Sequence, residues 1–263
     1  MLKVASFFAG ICGFDLGLEQ IGMKVVFQCE INKFCQEVLK THWPEVILHS
    51  DINQVKSDDI PNDTQVWCGG FPCQDLSLAN QGKRKGLEGE RSGLFYKYAE
   101  LIKSHKPRWV IIENVPGLLN SHQGKDFQIL LQKLDELGYG VSWRVFDAKY
   151  FGTPQRRRRV YVVASLGNLR SAQVLFESHP FEIAHRSGLG KRETIASGNG
   201  ESYTLDSRGT ADAVCKTTNA FRVRKSSRIS RTLDGNRYRA IGNAVCVHIV
   251  KWIGQRIMQV DED

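Results

Sequence analysis

No two cysteines in this chain are spaced C-x-x-C, and the seven it holds are odd in number. The first fact removes a common zinc-ligand and redox spacing, and the second fits a reduced compartment better than a disulfide framework. No metal is expected, and most of the cysteines read as small buried hydrophobes. Long apolar runs are missing too. The longest fall well short of the ~18 residues a membrane span needs, and the opening MLKVASFFAG has no long apolar stretch behind a basic start. The expected setting is therefore the cytosol, with no membrane partner. Internal repeats and low-complexity tracts are also lacking.

What remains is an ordinary globular balance, 41% hydrophobic and 24% charged over 263 residues. That length buries one large domain, or a main domain with an appendage, rather than two full domains. The net charge of +8 is unevenly placed: residues 166–240 hold 13 Lys and Arg against 7 Asp and Glu, leaving +2 for the other 188. Two readings of this basic stretch stay open, a solvated face or a phosphate-contacting surface favoured by counterion release.

The first 165 residues alternate short apolar runs with amphipathic stretches. Strands are expected at Lys3–Phe8, Lys24–Glu30, Gln65–Gly69, Trp109–Glu113, Ser142–Asp147 and Val160–Ala164, with a further one before Asp51. Helices are expected at Phe14–Ile21, Asn32–His42, Leu94–His105 and Asp126–Leu137. This order predicts an α/β fold, a doubly wound and mostly parallel sheet covered on both faces. After Leu166 the runs become short, polar and turn-rich, with no evident helix until Arg239–Val260, where Ile241, Val245, Ile249, Trp252, Ile253 and Ile257 form one stripe. The expected division is a main domain over 1–167, a small irregular lobe over 168–236, and a returning segment over 237–263.

Several residues carry chemistry. In FFAGICGFDLGLE, Gly10 and Gly13 permit a tight strand-to-helix turn, structural or ligand-binding. Glu30 ends the next strand about 20 residues on, where an acid can accept from ribose hydroxyls; the combination favours a nucleoside-containing cofactor. Asp51 is either an acceptor for an adenine amino group or a simple cap. In GGFPCQDLS, Cys73 follows a strand, two glycines and a proline, which sets its thiol at the carboxyl edge of the sheet. A lone cysteine is more often inert, and a thiolate-favouring neighbour would raise its claim to be a nucleophile. RWVIIENV brings Glu113 and Asn114 to the same edge, and an acid ending a buried strand costs free energy unless paired or used. In QRRRRV, alternation along an extended strand points Arg157 and Arg159 one way and Arg156 and Arg158 the other.

FxGxxGF with Gly10, PCQ at 72–74, ENV at 113–115, Gln155-x-Arg157-x-Arg159 and RAIGNAV at 239–245 resemble, in that order, the motifs of cytosine-C5 DNA methyltransferases. Each motif is weak alone; five in order are specific. The resemblance spans almost all of 1–165 and again about 237–260. It implies the S-adenosylmethionine-dependent methyltransferase fold, with S-adenosylhomocysteine as product and no metal. Phe8, Gly10, Gly13, Glu30, Ile31, Asp51, Ile52, Pro72, Leu94 and Asn243 would line or brace the cofactor pocket. Cys73 would add to carbon 6 of a flipped cytosine while Glu113 holds the ring, with Arg157 and Arg159 steadying base and loop. Gln74 and Ser77 would touch DNA, and Arg222, Arg224, Arg228 and Arg231 in the lobe would contact phosphate or groove. The implied partner is double-stranded DNA in a bacterial or phage-infected cytosol, the protein a monomer beside a cognate restriction endonuclease. A DNA-binding relative that is weak or inactive without a partner is the alternative. A transfer RNA enzyme fits less well, because PCQDLS shows none of the CFT signature of that branch. Two departures stand out: Cys12 takes the place of a glycine, and no counterpart of R-L-x-P-x-E-x-x-R-L-Q-G-F-P precedes RAIGNAV.

Overall fold

A computed structural model describes residues 1–72, 93–176, 194–196, 202–204, 236 and 240–262. The centre is built from strands with almost no polar side. β1 (Lys3–Phe7) buries Val4, Ala5, Ser6 and Phe7, and β4 (Val66–Gly69) and β5 (Trp109–Asn114) are buried throughout. Such runs suit a sheet covered on both faces. β2 (Lys24–Cys29) and β3 (Ile47–His49) extend it on one side, β7 (Arg158–Leu166) and β6 (Tyr139–Asp147) on the other. The order is β3-β2-β1-β4-β5-β7-β6. Pairs from β3 to β5 are parallel, and β7 alone is reversed, running antiparallel to both β5 and β6. The mostly parallel α/β sheet expected from the sequence is the one observed.

Two apolar layers flank the sheet. On one face α3 (Gly93–His105) and α4 (Lys125–Glu136) pack Phe95, Tyr98, Ile102 and Leu130 against Phe7, Phe27, Trp67 and Val162. On the other, α1 (Gly13–Glu19), α5 (Arg170–Leu175) and α6 (Val247–Glu262) cover Val4, Cys68, Trp109 and Tyr161. α2 (Lys33–His42) starts from an Asn32 cap whose side chain accepts from the backbone of Phe34 and Cys35. Each large side chain buried here is worth about 1.5–3 kcal/mol. No helix among the described residues is long and apolar enough to cross a membrane.

Three local expectations are corrected. α5 follows Leu166 closely, where no helix was evident, because RSAQVL is too short to show a period yet buries Ser171, Val174 and Leu175. The turn-rich stretch beyond it contains an antiparallel pair, β8 (Thr194–Ala196) with β9 (Ser202–Thr204). The terminal stripe is also broken. Residues 240–243 are helical, the chain opens over 244–246, and α6 begins at Val247. The break throws Ile241 out of phase, leaving it 64% exposed while Ile249, Ile253 and Ile257 are fully buried.

Candidate active site

Parallel strands deliver their carboxyl ends to one edge, and reversed β7 brings its amino end there. Around this edge lies a cleft of about 520 Å³, lined from the ends of β1, β2, β4 and β5, the start of β7 and the segment before α6. Its size is that of a pocket for a cofactor-sized molecule.

At one end of the cleft the β1–α1 turn is held by an acid. Phe8 and Gly10 both have left-handed φ, 53° and 57°, which turns the Gly10 N–H toward Glu30. That N–H donates to Glu30 Oε2 and the Asn32 N–H to Oε1, each at 2.7 Å. A carboxylate offers about four acceptor sites, so these two bonds fix Glu30 without exhausting it. Asp51 likewise caps the turn at Ile52–Gln54, its Oδ1 accepting from the Asn53 backbone at 2.9 Å and side-chain amide at 3.0 Å. Phe8, Ile31, Ile52 and Leu94 add apolar wall, with Ile31 exposed at the cleft.

The other end holds Glu113. It is buried, with Oε1 2.9 Å from Arg159 Nε. Gly70 leaves the room: a Cβ there would stand 3.2 Å from Glu113 Oε2. Burial pushes the Glu113 carboxyl above its ordinary range, and the nearby Arg159 and Arg157 pull it only part of the way back. Arg157 reaches past this pair and donates through Nη1 to the Gly242 carbonyl at 2.7 Å, tying the closing segment to the cleft. Its Nε is buried without a hydrogen-bond partner among the described residues. Arg156 and Arg158 are exposed and Arg157 and Arg159 half-buried, the alternation expected of the strand.

The sequence profile of C-5 cytosine-specific DNA methylases matches residues 2–232. The chain belongs to that family. Among similar proteins, the type II methyltransferase M2.BsuMI of Bacillus subtilis is 33% identical over 98% of this chain and 76% of its own length. The type II methyltransferase M.NlaIV of Neisseria lactamica is 38% identical over 68% of this chain, which spans only 44% of that relative. In solved structures the fold is shared with the Dnmt2 methyltransferase of S. pombe, at 25% identity and a TM-score of 0.55 over 64% of this chain and 52% of that one. It is shared too with Entamoeba histolytica methyltransferase EhMeth, at 17% identity and a TM-score of 0.64 over 100% and 99%.

Within this methylase the structure gathers most of the residues singled out by sequence. Phe8, Gly10, Glu30, Ile31, Asp51, Ile52, Pro72, Leu94, Glu113, Arg157, Arg159 and Asn243 all line the one cleft. Gly13 does not. It is buried under the closing segment, where a Cβ would meet the Val245 carbonyl oxygen at 2.6 Å, so its smallness serves packing rather than the cleft. Cys73, Gln74, Ser77, Arg222, Arg224, Arg228 and Arg231 lie outside the described residues; Pro72, directly before Cys73, is in the cleft. Sequence reasoning missed Asn32, Phe34, Cys29 and Cys35 as lining residues. Their nearness to Glu30 in the chain was the available signal. Asn236, three residues before the closing motif, and Ala240, within it, were missed as well.

The cleft fits the donor that the family uses. Two fixed carboxylates suit hydroxyl and amine groups, an exposed isoleucine and a phenylalanine suit a flat base, and Gly10 has open space where a side chain would stand. Burial pushes the Cys29 thiol up to about 12 and that of Cys35 up to about 11, which leaves both as neutral wall.

Proposed function

We propose that this methylase transfers a methyl group to carbon 5 of cytosine within a specific duplex DNA sequence, with Cys73 as nucleophile. The observation that carries the proposal is the buried Glu113–Arg159 pair, set in the same cleft as Glu30 and as Pro72, the neighbour of Cys73. S-adenosylmethionine, when bound, supplies an electrophilic methyl group and leaves as S-adenosylhomocysteine. Glu30 and Asp51 would hold its polar groups, Gly10 would give it room, and Phe8, Ile31, Ile52 and Leu94 would wall the base. No metal takes part in this scheme.

The target cytosine would be flipped into the Glu113 end of the cleft, an unstacking that costs a few kcal/mol. The Cys73 thiolate then bonds to carbon 6, and the electron pair of the 5,6 double bond shifts toward carbon 5 and the ring. Glu113, biased by burial toward its protonated form, donates to ring nitrogen 3 and accepts from the exocyclic amine, so charge entering the ring is stabilised. Arg159 orients Glu113, while Arg157 fixes the closing segment with Asn243 against the cleft. After carbon 5 is methylated its proton departs, the double bond re-forms and Cys73 leaves carbon 6.

Residues 168–236 are assigned to target recognition, with 1–167 and 237–263 as the catalytic domain, although α5 at the start of that stretch packs on the sheet. Gln74, Ser77, Arg222, Arg224, Arg228 and Arg231 are assigned to DNA. The type II names of the relatives support pairing with a restriction endonuclease in a bacterial or phage-infected cytosol; a monomer would suffice for the reaction described. A second reading, a DNA-binding relative that needs a partner for turnover, rests on the lack of a counterpart of R-L-x-P-x-E-x-x-R-L-Q-G-F-P before RAIGNAV.

Incubating the purified chain with labelled S-adenosylmethionine and duplex DNA, and separately with RNA, separates these. The proposal expects label in DNA alone. DNA retention without label would favour the second reading, and label in RNA would reverse the substrate.

A further inference from the structure

Four consecutive backbone carbonyls, those of residues 173 to 176, are taken up by two arginines from different elements. Arg256 on α6 donates through Nε to the Val174 carbonyl at 2.5 Å and through Nη2 to those of Gln173 and Phe176, both at 2.6 Å. Arg144 on β6 donates through Nη1 to the Leu175 carbonyl at 3.1 Å. The Arg256 guanidinium is itself steadied over the Trp252 ring, 5.0 Å from its centroid. Below it, Val174 and Leu175 are fully buried beside Ile253 and Ile257.

A helix leaves its last carbonyls without internal partners, and a basic side chain near a C-terminus often satisfies one of them. Water could do the same at a half-exposed site. Carbonyls 173 to 176 are the four that α5 leaves over, and because both guanidiniums that take them come from other elements, they fix the path of the chain as well as cap the helix. The path they fix is the one leading out of the catalytic sheet into the basic stretch assigned above to DNA recognition.

We propose that Arg256 is a positioning residue for DNA engagement: by clamping the end of α5 it sets where the chain departs for residues 177–235. The proposal rests on that stretch contacting DNA. Its test is steady-state methylation of duplex DNA by wild type, Arg256→Ala and Arg256→Lys, with S-adenosylmethionine affinity and thermal stability measured in parallel. In Arg256→Ala the KM for duplex should rise about tenfold, a loss of about 1.4 kcal/mol in DNA engagement. Cofactor affinity and kcat at saturating DNA should stay near wild type. Arg256→Lys, which keeps the charge but cannot fork across three carbonyls, should fall between and covers the case in which the alanine variant fails to fold. Lower thermal stability with an unchanged KM in both variants would make Arg256 a structural clamp only and overturn the proposal. A wild-type chain that neither methylates nor retains duplex DNA would remove the function reading, and the proposal with it.

Discussion

Asn114 Nδ2 donates to the Phe71 carbonyl at 3.1 Å, tying the end of β5 to the chain two residues before Cys73. Asn114 Oδ1 accepts from the Val115 N–H at 2.9 Å, so the amide is oriented from both sides, in a residue only 4% exposed. The bond joins the strand carrying Glu113 to the segment that leads into Cys73, the proposed nucleophile. Asn114→Ala removes both contacts and leaves a buried carbonyl without its donor, a loss of about 1–3 kcal/mol. Methylation kcat should drop about tenfold or more for that cost, with S-adenosylmethionine affinity little changed; isothermal titration beside a rate assay checks both.

Glu113 is the second lever. Its carboxyl is raised by burial against the pull of two arginines, so the folded state holds the proton more tightly than the unfolded chain does. A raised folded value means stability that is full below the ordinary carboxylate range and is lost as pH climbs above it. Wild type should therefore lose thermal stability between pH 4 and the upper end of that titration relative to Glu113→Gln, which has nothing to ionise there. Activity should move the opposite way: Glu113→Gln should lose about two orders of magnitude in kcat, since an amide cannot supply the acid's proton to the ring.

A second buried acid makes a cleaner pH probe because it sits outside the cleft. Asp15 on α1 is fully buried, and burial raises its carboxyl to about 6 against the opposing hydrogen bond from Gln28. The Gln28 amide donates to its Oδ2 at 2.8 Å. The raised value again places the stability at low pH, with loss as pH rises from about 4 to about 6, amounting to about 3 kcal/mol by linkage. Asp15→Asn should flatten that dependence. Denaturant unfolding at pH 4 and pH 7 reads it directly, and an equal slope in both proteins would contradict the assignment.

Gly13 and Cys12 give a stability contrast in neighbouring residues. A methyl group on Gly13 would press into the Val245 carbonyl, a backbone atom that cannot swing aside. Gly13→Ala should cost about 1–3 kcal/mol. Cys12 instead holds a left-handed φ of 74°, a conformation costing a non-glycine residue about 1–2 kcal/mol. Cys12→Gly should thus unfold at higher denaturant than Cys12→Ala, which loses the same sulfur but keeps the strain.

The sheet was legible in the sequence because its central strands are buried on both faces and read as unbroken apolar runs. The same logic exposed the Glu113 edge, since an acid closing RWVIIEN is conspicuous, and the arginine pair, since extended chain alternates. Features set by tertiary contact were not legible. Gly13 looked like part of a ligand turn, and only the approach of Val245 from the other end of the chain reveals what its missing side chain is for. Ile241 fitted the stripe of the last helix, but three non-helical residues after Asn243 turn it out toward solvent. α5 is held by Arg256 and Arg144 from elsewhere, so six residues sufficed without any period of their own.

The most direct measurement is covalent trapping on duplex DNA in which fluorine replaces hydrogen at carbon 5 of cytosine. Fluorine cannot depart as the proton does, so once methyl transfer has occurred a sulfur bond to carbon 6 has no route to eliminate. Wild type with S-adenosylmethionine should give a denaturation-resistant adduct whose mass is that of protein plus DNA plus one methyl group, mapped by peptide sequencing to Cys73, and Cys73→Ala should give none. An adduct of the same yield in Cys73→Ala, or undiminished methylation by that variant on ordinary DNA, would contradict the account.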